Sequence, residues 1–156
     1  VYDTWGLKPR LHPLDQATYE QAPRSAAVYG VPMDPLPPLG ADLSTDEPIR
    51  CGEAELEVRF TPGHAPGHVV LVYAPGQWVI GGDVLFQGSI GRTDLPGSHA
   101  QDLVTSIEEQ LFTLPDRFEV WPGHGPLTTI AAEKAANPFV NAAGTGMLQA
   151  EFRSRH

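Results

Sequence analysis

Apolar and polar residues alternate from Leu56 to Phe60, the period of a half-buried strand, and Pro62-Gly63 ends the run. Ile49-Arg50 predicts a short strand before it, across a turn at Cys51-Gly52. His68 to Tyr73 is largely apolar, which predicts a strand buried on both faces. The turn Ala74-Pro75-Gly76-Gln77 separates it from a strand over Trp78–Ile80, and Phe118 to Trp121 predicts another. At Leu103, Val104, Ile107 and Leu111 the spacing changes to threes and fours, predicting a helix over 99–114 that a Ser98…Gln101 capping box opens and Pro115 closes. A second helix is predicted over 129–137, ahead of Pro138. Upstream, Val1 to Gly6 reads as the end of a helix, Pro9 to His12 as a short strand, and Leu14 to Gln21 as a helix opened by Asp15. Residues 29–48, with Pro32, Pro35, Pro37, Pro38 and Pro48, read as an extended loop pinned by Val31, Met33, Leu36 and Leu39. Residues 139–147 carry no clear period, and 151–156 read as a frayed end. Strands interleaved with helices predict an α/β layered sheet.

Composition narrows the function classes. The 156 residues suffice for one domain, and 41% hydrophobic with 19% charged residues is a globular balance. A net charge of −9, with Lys8 and Lys134 the only lysines, argues against general nucleic-acid binding but leaves room for a local pocket that takes a small anionic substrate. The single cysteine, Cys51, excludes an internal disulfide and any zinc site built on two cysteines of this chain. No apolar run approaches a membrane span and no secretory leader is visible, so the expectation is a cytoplasmic protein with no membrane partner. There is no Gly-rich phosphate loop, and Gly88-Ser89-Ile90-Gly91 lacks the spacing of a serine nucleophile elbow.

Three predicted strand ends pass through Gly or Pro-Gly into a metal-ligand residue type: His64, Asp83 and His124. Each alone is a common turn residue; the repeated placement is what points to a site. Separations of 19 and 41 residues exclude a local zinc-finger pattern, so the fold must bring these residues together.

Thr61-Pro62-Gly63-His64 with Pro66-Gly67-His68, Gly82-Asp83-Val84-Leu85-Phe86 and Pro122-Gly123-His124-Gly125 resemble three ordered motifs of the metallo-β-lactamase superfamily. Gly91-Arg92-Thr93-Asp94-Leu95-Pro96-Gly97 and the run from Pro126 to Phe139 resemble its glyoxalase II-like (hydroxyacylglutathione hydrolase-like) branch. The resemblance implies the C-terminal portion of a four-layer αββα fold, with a mixed sheet flanked by helices. It also implies two divalent metal ions, zinc with iron or manganese as substitutes, one bound by His64 and the other by His124. Asp83 would bridge them and serve catalysis through them. The implied activity is hydrolysis of a small-molecule thioester by a metal-bound hydroxide. His68 is assigned a structural hydrogen-bonding role, and His12, His99 and His156 surface or helix-end positions. Arg92 either holds a substrate carboxylate or pairs with Asp94 to fix the loop, and the pairing is favoured.

The family's first metal motif, His-x-His-x-Asp-His, does not occur in these residues. Residues 1–156 are therefore expected to be a single incomplete domain from the C-terminal part of a longer protein. As a fragment it is expected to bind metal weakly or not at all, to hydrolyse negligibly, and to self-associate through the uncovered sheet. Two other readings stay open: a mononuclear iron dioxygenase acting on a persulfide, and a non-catalytic binding module on the same fold.

Overall fold

A computed structural model describes residues 2–153. The expectations for Val1 and His156, and for the frayed end beyond residue 153, lie outside the described residues. The chain divides into two compact units, residues 1–44 and 45–156.

In the first unit, α1 (Tyr2–Trp5) stops at Gly6, whose N–H donates to Tyr2 O. Pro9 to His12 forms no strand, because only isolated backbone bonds, from Gly40 N to Pro9 O and from Leu43 N to Leu11 O, reach it. A 3-10 turn (Pro13–Asp15) is capped by His12, whose Nδ1 accepts from Leu14 N. It leads into α2 (Gln16–Val28), which runs well past the predicted end at Gln21 and carries Pro23 inside it. Asp15 occupies the N-cap position but makes no capping bond. Residues 31–48 contain no helix or strand, as the proline spacing predicts. Tyr19 pins part of this loop by donating its hydroxyl to Pro37 O.

The second unit is built on a six-stranded mixed sheet in the order β1-β2-β3-β4-β7-β8. Its strands are β1 (Ile49–Cys51), β2 (Ala54–Phe60), β3 (Val69–Tyr73), β4 (Trp78–Gly82), β7 (Glu119–Pro122) and β8 (Thr128–Thr129). All neighbours are antiparallel except β4 and β7, which run parallel. A parallel pair needs a crossover. Here it contains a small hairpin, β5 (Leu85–Phe86) with β6 (Ser89–Ile90), then α3 (Ala100–Ser106) and a π-helical turn (Ile107–Leu111).

Register separates the two faces of the sheet. Val72 pairs with Val79, and Val79 with Val120, so these side chains share one face, and all three are buried. They pack in one core with Leu103, Val104, Ile107 and Leu111, the stripe predicted from the helical spacing. The opposite face carries Leu71, Tyr73, Trp78, Ile80 and Trp121. There Trp78 stacks on Trp121 at 5.7 Å, while Ile80 and Trp121 are 42% and 43% exposed. The prediction that β3 is buried on both faces therefore holds for one face only.

Helix α3 differs from its predicted form at both ends. His99, not Ser98, stands at the N-cap, because the Ser98 hydroxyl is committed to His64 O at 2.8 Å. The helix widens at Ile107, and Phe112 N–H reaches back five residues to Ile107 O. Arg59 on β2 donates to the Gln110 carbonyl at 2.7 Å and pairs with Glu57, tying the sheet to this turn. α4 (Ile130–Ala136) is opened by Thr129, whose hydroxyl accepts from Ala132 N. α5 (Met147–Arg153) forms where a frayed end was expected, held by Gln149, which bridges Asn141 N and Asn141 O.

Ile107 is fully buried between helix and sheet. Ile107→Ala is expected to lower unfolding stability by about 2–5 kcal/mol, the usual cost of such a cavity, as read by urea denaturation.

Candidate metal centre

The three strand-end residues converge on one open cavity of about 350 Å³, with Phe86, Ile90 and Arg92 also in its wall. Asp83 follows β4, His124 follows β7, and the parallel pairing of Gly82 with Pro122 sets their starting points side by side. Gly123 lies so close to Asp83 that a side chain there would collide with the carboxylate Oδ1. His64 leaves the end of β2 through the turn that the Ser98 hydroxyl secures.

His64 Nε2 stands 3.5 Å from Asp83 Oδ2, and His124 Nε2 stands 3.9 Å from Asp83 Oδ1. Each oxygen of one carboxylate thus faces a different imidazole. His64 Nδ1 lies 3.0 Å from the Arg92 carbonyl, which can only accept. The Nδ1 proton is thereby engaged, and the Nε2 lone pair is turned toward the carboxylate. Two acceptors facing each other suit a cation placed between them, and a backbone carbonyl on the far ring nitrogen is the usual support of a metal-binding histidine. His124 is held differently, its ring stacked on Phe86 at 4.5 Å with the side chain 74% exposed.

His68 takes no place among these donors. Its Nε2 accepts the Asp83 backbone N–H at 3.1 Å, and its Nδ1 lies 2.9 Å from the Thr61 hydroxyl. With Nε2 accepting, the proton sits on Nδ1, and both ring nitrogens are engaged. Gly82, at φ +50°, leaves the space the His68 ring occupies.

Arg92 and Asp94 form a two-point ion pair, with Nε–Oδ1 at 2.7 Å and Nη2–Oδ2 at 2.8 Å. His99 is paired with Asp102 at 3.1 Å, at the start of α3. Cys51 is exposed.

The donors suit a shared, two-sided site but do not close it. Each side offers one imidazole and one carboxylate oxygen, and catalytic zinc ordinarily has three protein ligands. Among the described residues no group of three or more His, Cys, Asp or Glu is arranged to hold a metal ion.

The metallo-β-lactamase superfamily model matches residues 2–124. The chain belongs to the metallo-β-lactamase superfamily. It is 50% identical over 93 residues to a probable metallo-hydrolase of Streptococcus pyogenes serotype M6, an alignment covering 60% of this chain and 40% of the relative. It is 35% identical over 140 residues to the hydroxyacylglutathione hydrolase GloC of Haemophilus influenzae, covering 89% of this chain and 64% of GloC. Two solved structures share the architecture across 89% of this chain and 68% of theirs. The BLEG-1 B3 metallo-β-lactamase aligns with a TM-score of 0.81 at 38% identity, and TTHA1623 in a di-iron-bound form with 0.78 at 41%. The chain thus spans less than two thirds of the length of the Streptococcus protein and of GloC.

Sequence reasoning missed Glu133 and Asn137, which carry no ligand motif but are buried beside the cavity wall. The signal available was a Glu and an Asn four residues apart on a helix otherwise rich in alanine.

The guanidinium of Arg92, chiefly through its hydrogen bonds, holds the Asp94 carboxyl at about 2, below its ordinary 3.8. A lowered carboxyl keeps its pair above the ordinary value and loses it as pH falls through the lowered one. The side-chain carboxyl carbon of Asp94 is therefore expected to titrate by NMR with a midpoint near 2, and Arg92→Gln to return it toward 3.8.

Proposed function

We propose that this chain supplies part of the active site of a metal-dependent thioester hydrolase. One observation carries the reading: the Asp83 carboxylate presents its two oxygens to two different imidazoles, His64 and His124. The superfamily is one of metallo-hydrolases, and the likeness to GloC supports a thioester as the bond cut. His64 and His124 would each hold one of two divalent ions, with Asp83 shared between them. Zinc is the proposed metal, with iron the alternative that the di-iron form of TTHA1623 brings in. When bound, such ions lower the pKa of a coordinated water and polarise an acyl carbonyl.

The remaining roles belong to this chain's own residues. The Arg92 carbonyl keeps the His64 ring turned with Nε2 toward Asp83. His68 fixes the Asp83 backbone, which sets the direction of the carboxylate. Phe86 and Ile90 form an apolar wall against which the non-reacting part of a small substrate would lie. Arg92, paired with Asp94, shapes the rim of the cavity. No serine or cysteine nucleophile is required.

The site needs further donors, which the motif His-x-His-x-Asp-His would provide in a protein that carries it. In such a protein Asp83→Asn is expected to lower thioester turnover by about 100-fold or more and to reduce bound metal, as measured by elemental analysis. The 156-residue chain alone is expected to bind zinc weakly and to turn over negligibly. Oxygen uptake with one bound iron and no thioester cleavage would replace this reading with the persulfide dioxygenase. A protein that binds thioester without reaction or metal would replace it with the binding module.

We further propose that the 156-residue chain self-associates through the face bearing Ile80 and Trp121, because exposed apolar sheet surface seeks a partner. Light scattering is expected to show species larger than a monomer that Ile80→Lys reduces. A monodisperse monomer would contradict it.

A further inference from the structure

Both the cavity wall and the His124 loop are tied to one buried carboxylate, Glu133 on α4, which is 3% exposed. One of its oxygens accepts the hydroxyl of Thr128. The other accepts the Gly88 N–H at 3.0 Å and the Asn137 Nδ2 at 2.8 Å. Asn137 donates from the same amide to Ser89 O at 3.1 Å, while its Oδ1 accepts the N–H of Phe139 at 2.9 Å, so its orientation is fixed. Both carboxyl oxygens of Glu133 act as acceptors, and no polar atom of the group is left to face the apolar interior unpaired. Here three donors from three places in the chain meet that group.

Two of those places lead to His124. Gly88 lies in the turn of the β5–β6 hairpin, and the same hairpin carries Phe86, on which the His124 ring is stacked. Thr128 lies on β8, just beyond the loop that holds His124. The His124 ring is largely exposed, and its approach to Asp83, at 3.9 Å, is too long for a hydrogen bond that would orient it. Its direction is therefore set from outside, by the ring beside it and by the backbone on either side of its loop.

We propose that Glu133 is a positioning residue of the site: by gripping Gly88 and Thr128 together, it holds Phe86 against His124 and turns that imidazole toward Asp83. The use made of that imidazole rests on the hydrolase reading; the positioning itself does not. A ring stacked on Phe86 shifts the His124 ring protons upfield in NMR, which gives a readout independent of metal and activity. In the full chain, Glu133→Ala is expected to abolish more than half of that upfield shift. Glu133→Gln keeps an acceptor oxygen toward Gly88 and Asn137, and should restore most of it. Gln149→Ala breaks another buried side-chain network, around Asn141 and Gly146, and should lower the melting temperature while leaving the His124 signals in place.

Should Glu133→Ala give no folded spectrum, Thr128→Val cuts one arm while keeping its bulk, and the His124 signals must still move. Unmoved His124 signals in a folded Glu133→Ala or Thr128→Val protein overturn the proposal. Thioester turnover of the same variants, in a protein carrying the complete set of donors, separates the two readings. Displaced His124 signals in a protein whose unmutated form hydrolyses no thioester uphold the positioning role and remove the hydrolase reading. Unmoved signals in an active enzyme do the reverse.

Discussion

The bond from the Asp83 backbone N–H to His68 Nε2 is the contact on which the site depends. It joins the end of β4 to the segment entering β3, and so fixes the backbone from which the Asp83 carboxylate enters the cavity. It also decides the state of His68, since a nitrogen that accepts cannot carry the proton, and the proton must then face Thr61. Gly82 and Gly123 make the contact possible by leaving room for the His68 ring and for the carboxylate. Two residues of the same type, four apart in sequence, thus receive opposite tasks. His64 turns a lone pair to the cavity, and His68 spends both nitrogens on the scaffold.

That division was only partly legible in the sequence. Alternation from Leu56 to Phe60 and the three-four spacing from Leu103 to Leu111 identified the elements because one-sided burial imposes those periods. The strand-end positions of His64, Asp83 and His124 were legible for the same reason: Pro and Gly mark where each strand stops. The β5–β6 hairpin escaped notice because two-residue strands are too short to carry a period. The N-terminus of α3 was misassigned because Ser98 satisfies a carbonyl of the His64 turn instead of the helix, a choice local spacing cannot reveal. The length of α2 was underestimated because Pro23 lies inside the helix, where proline is ordinarily a stop.

The cluster around Glu133 shows why such residues stay hidden. A glutamate on a short helix reads as a solvated surface charge, and only the packing of α4 against the hairpin and β8 converts it into an interior acceptor with several partners. Buried polar groups are tolerable when their bonding capacity is met, and a satisfied cluster of this kind specifies one arrangement of the loops it joins. The two faces of the sheet are specified less evenly: a close-packed valine layer lies beneath α3, while the side bearing Trp78 and Trp121 is only partly covered.

The parallel pairing of β4 with β7 has a kinetic consequence. Asp83 and His124 are 41 residues apart in sequence, and the segment between them contains the hairpin, α3 and the π-helical turn. Antiparallel neighbours such as β2, β3 and β4 zip through short turns, but β7 can dock only after that longer loop has closed, and such non-local contacts form slowly. On this topology the cavity is expected to assemble after the local hairpins. A chain that has formed only the β2–β3–β4 meander carries Asp83 without His124 beside it, so the carboxylate meets both imidazoles only once β7 has docked.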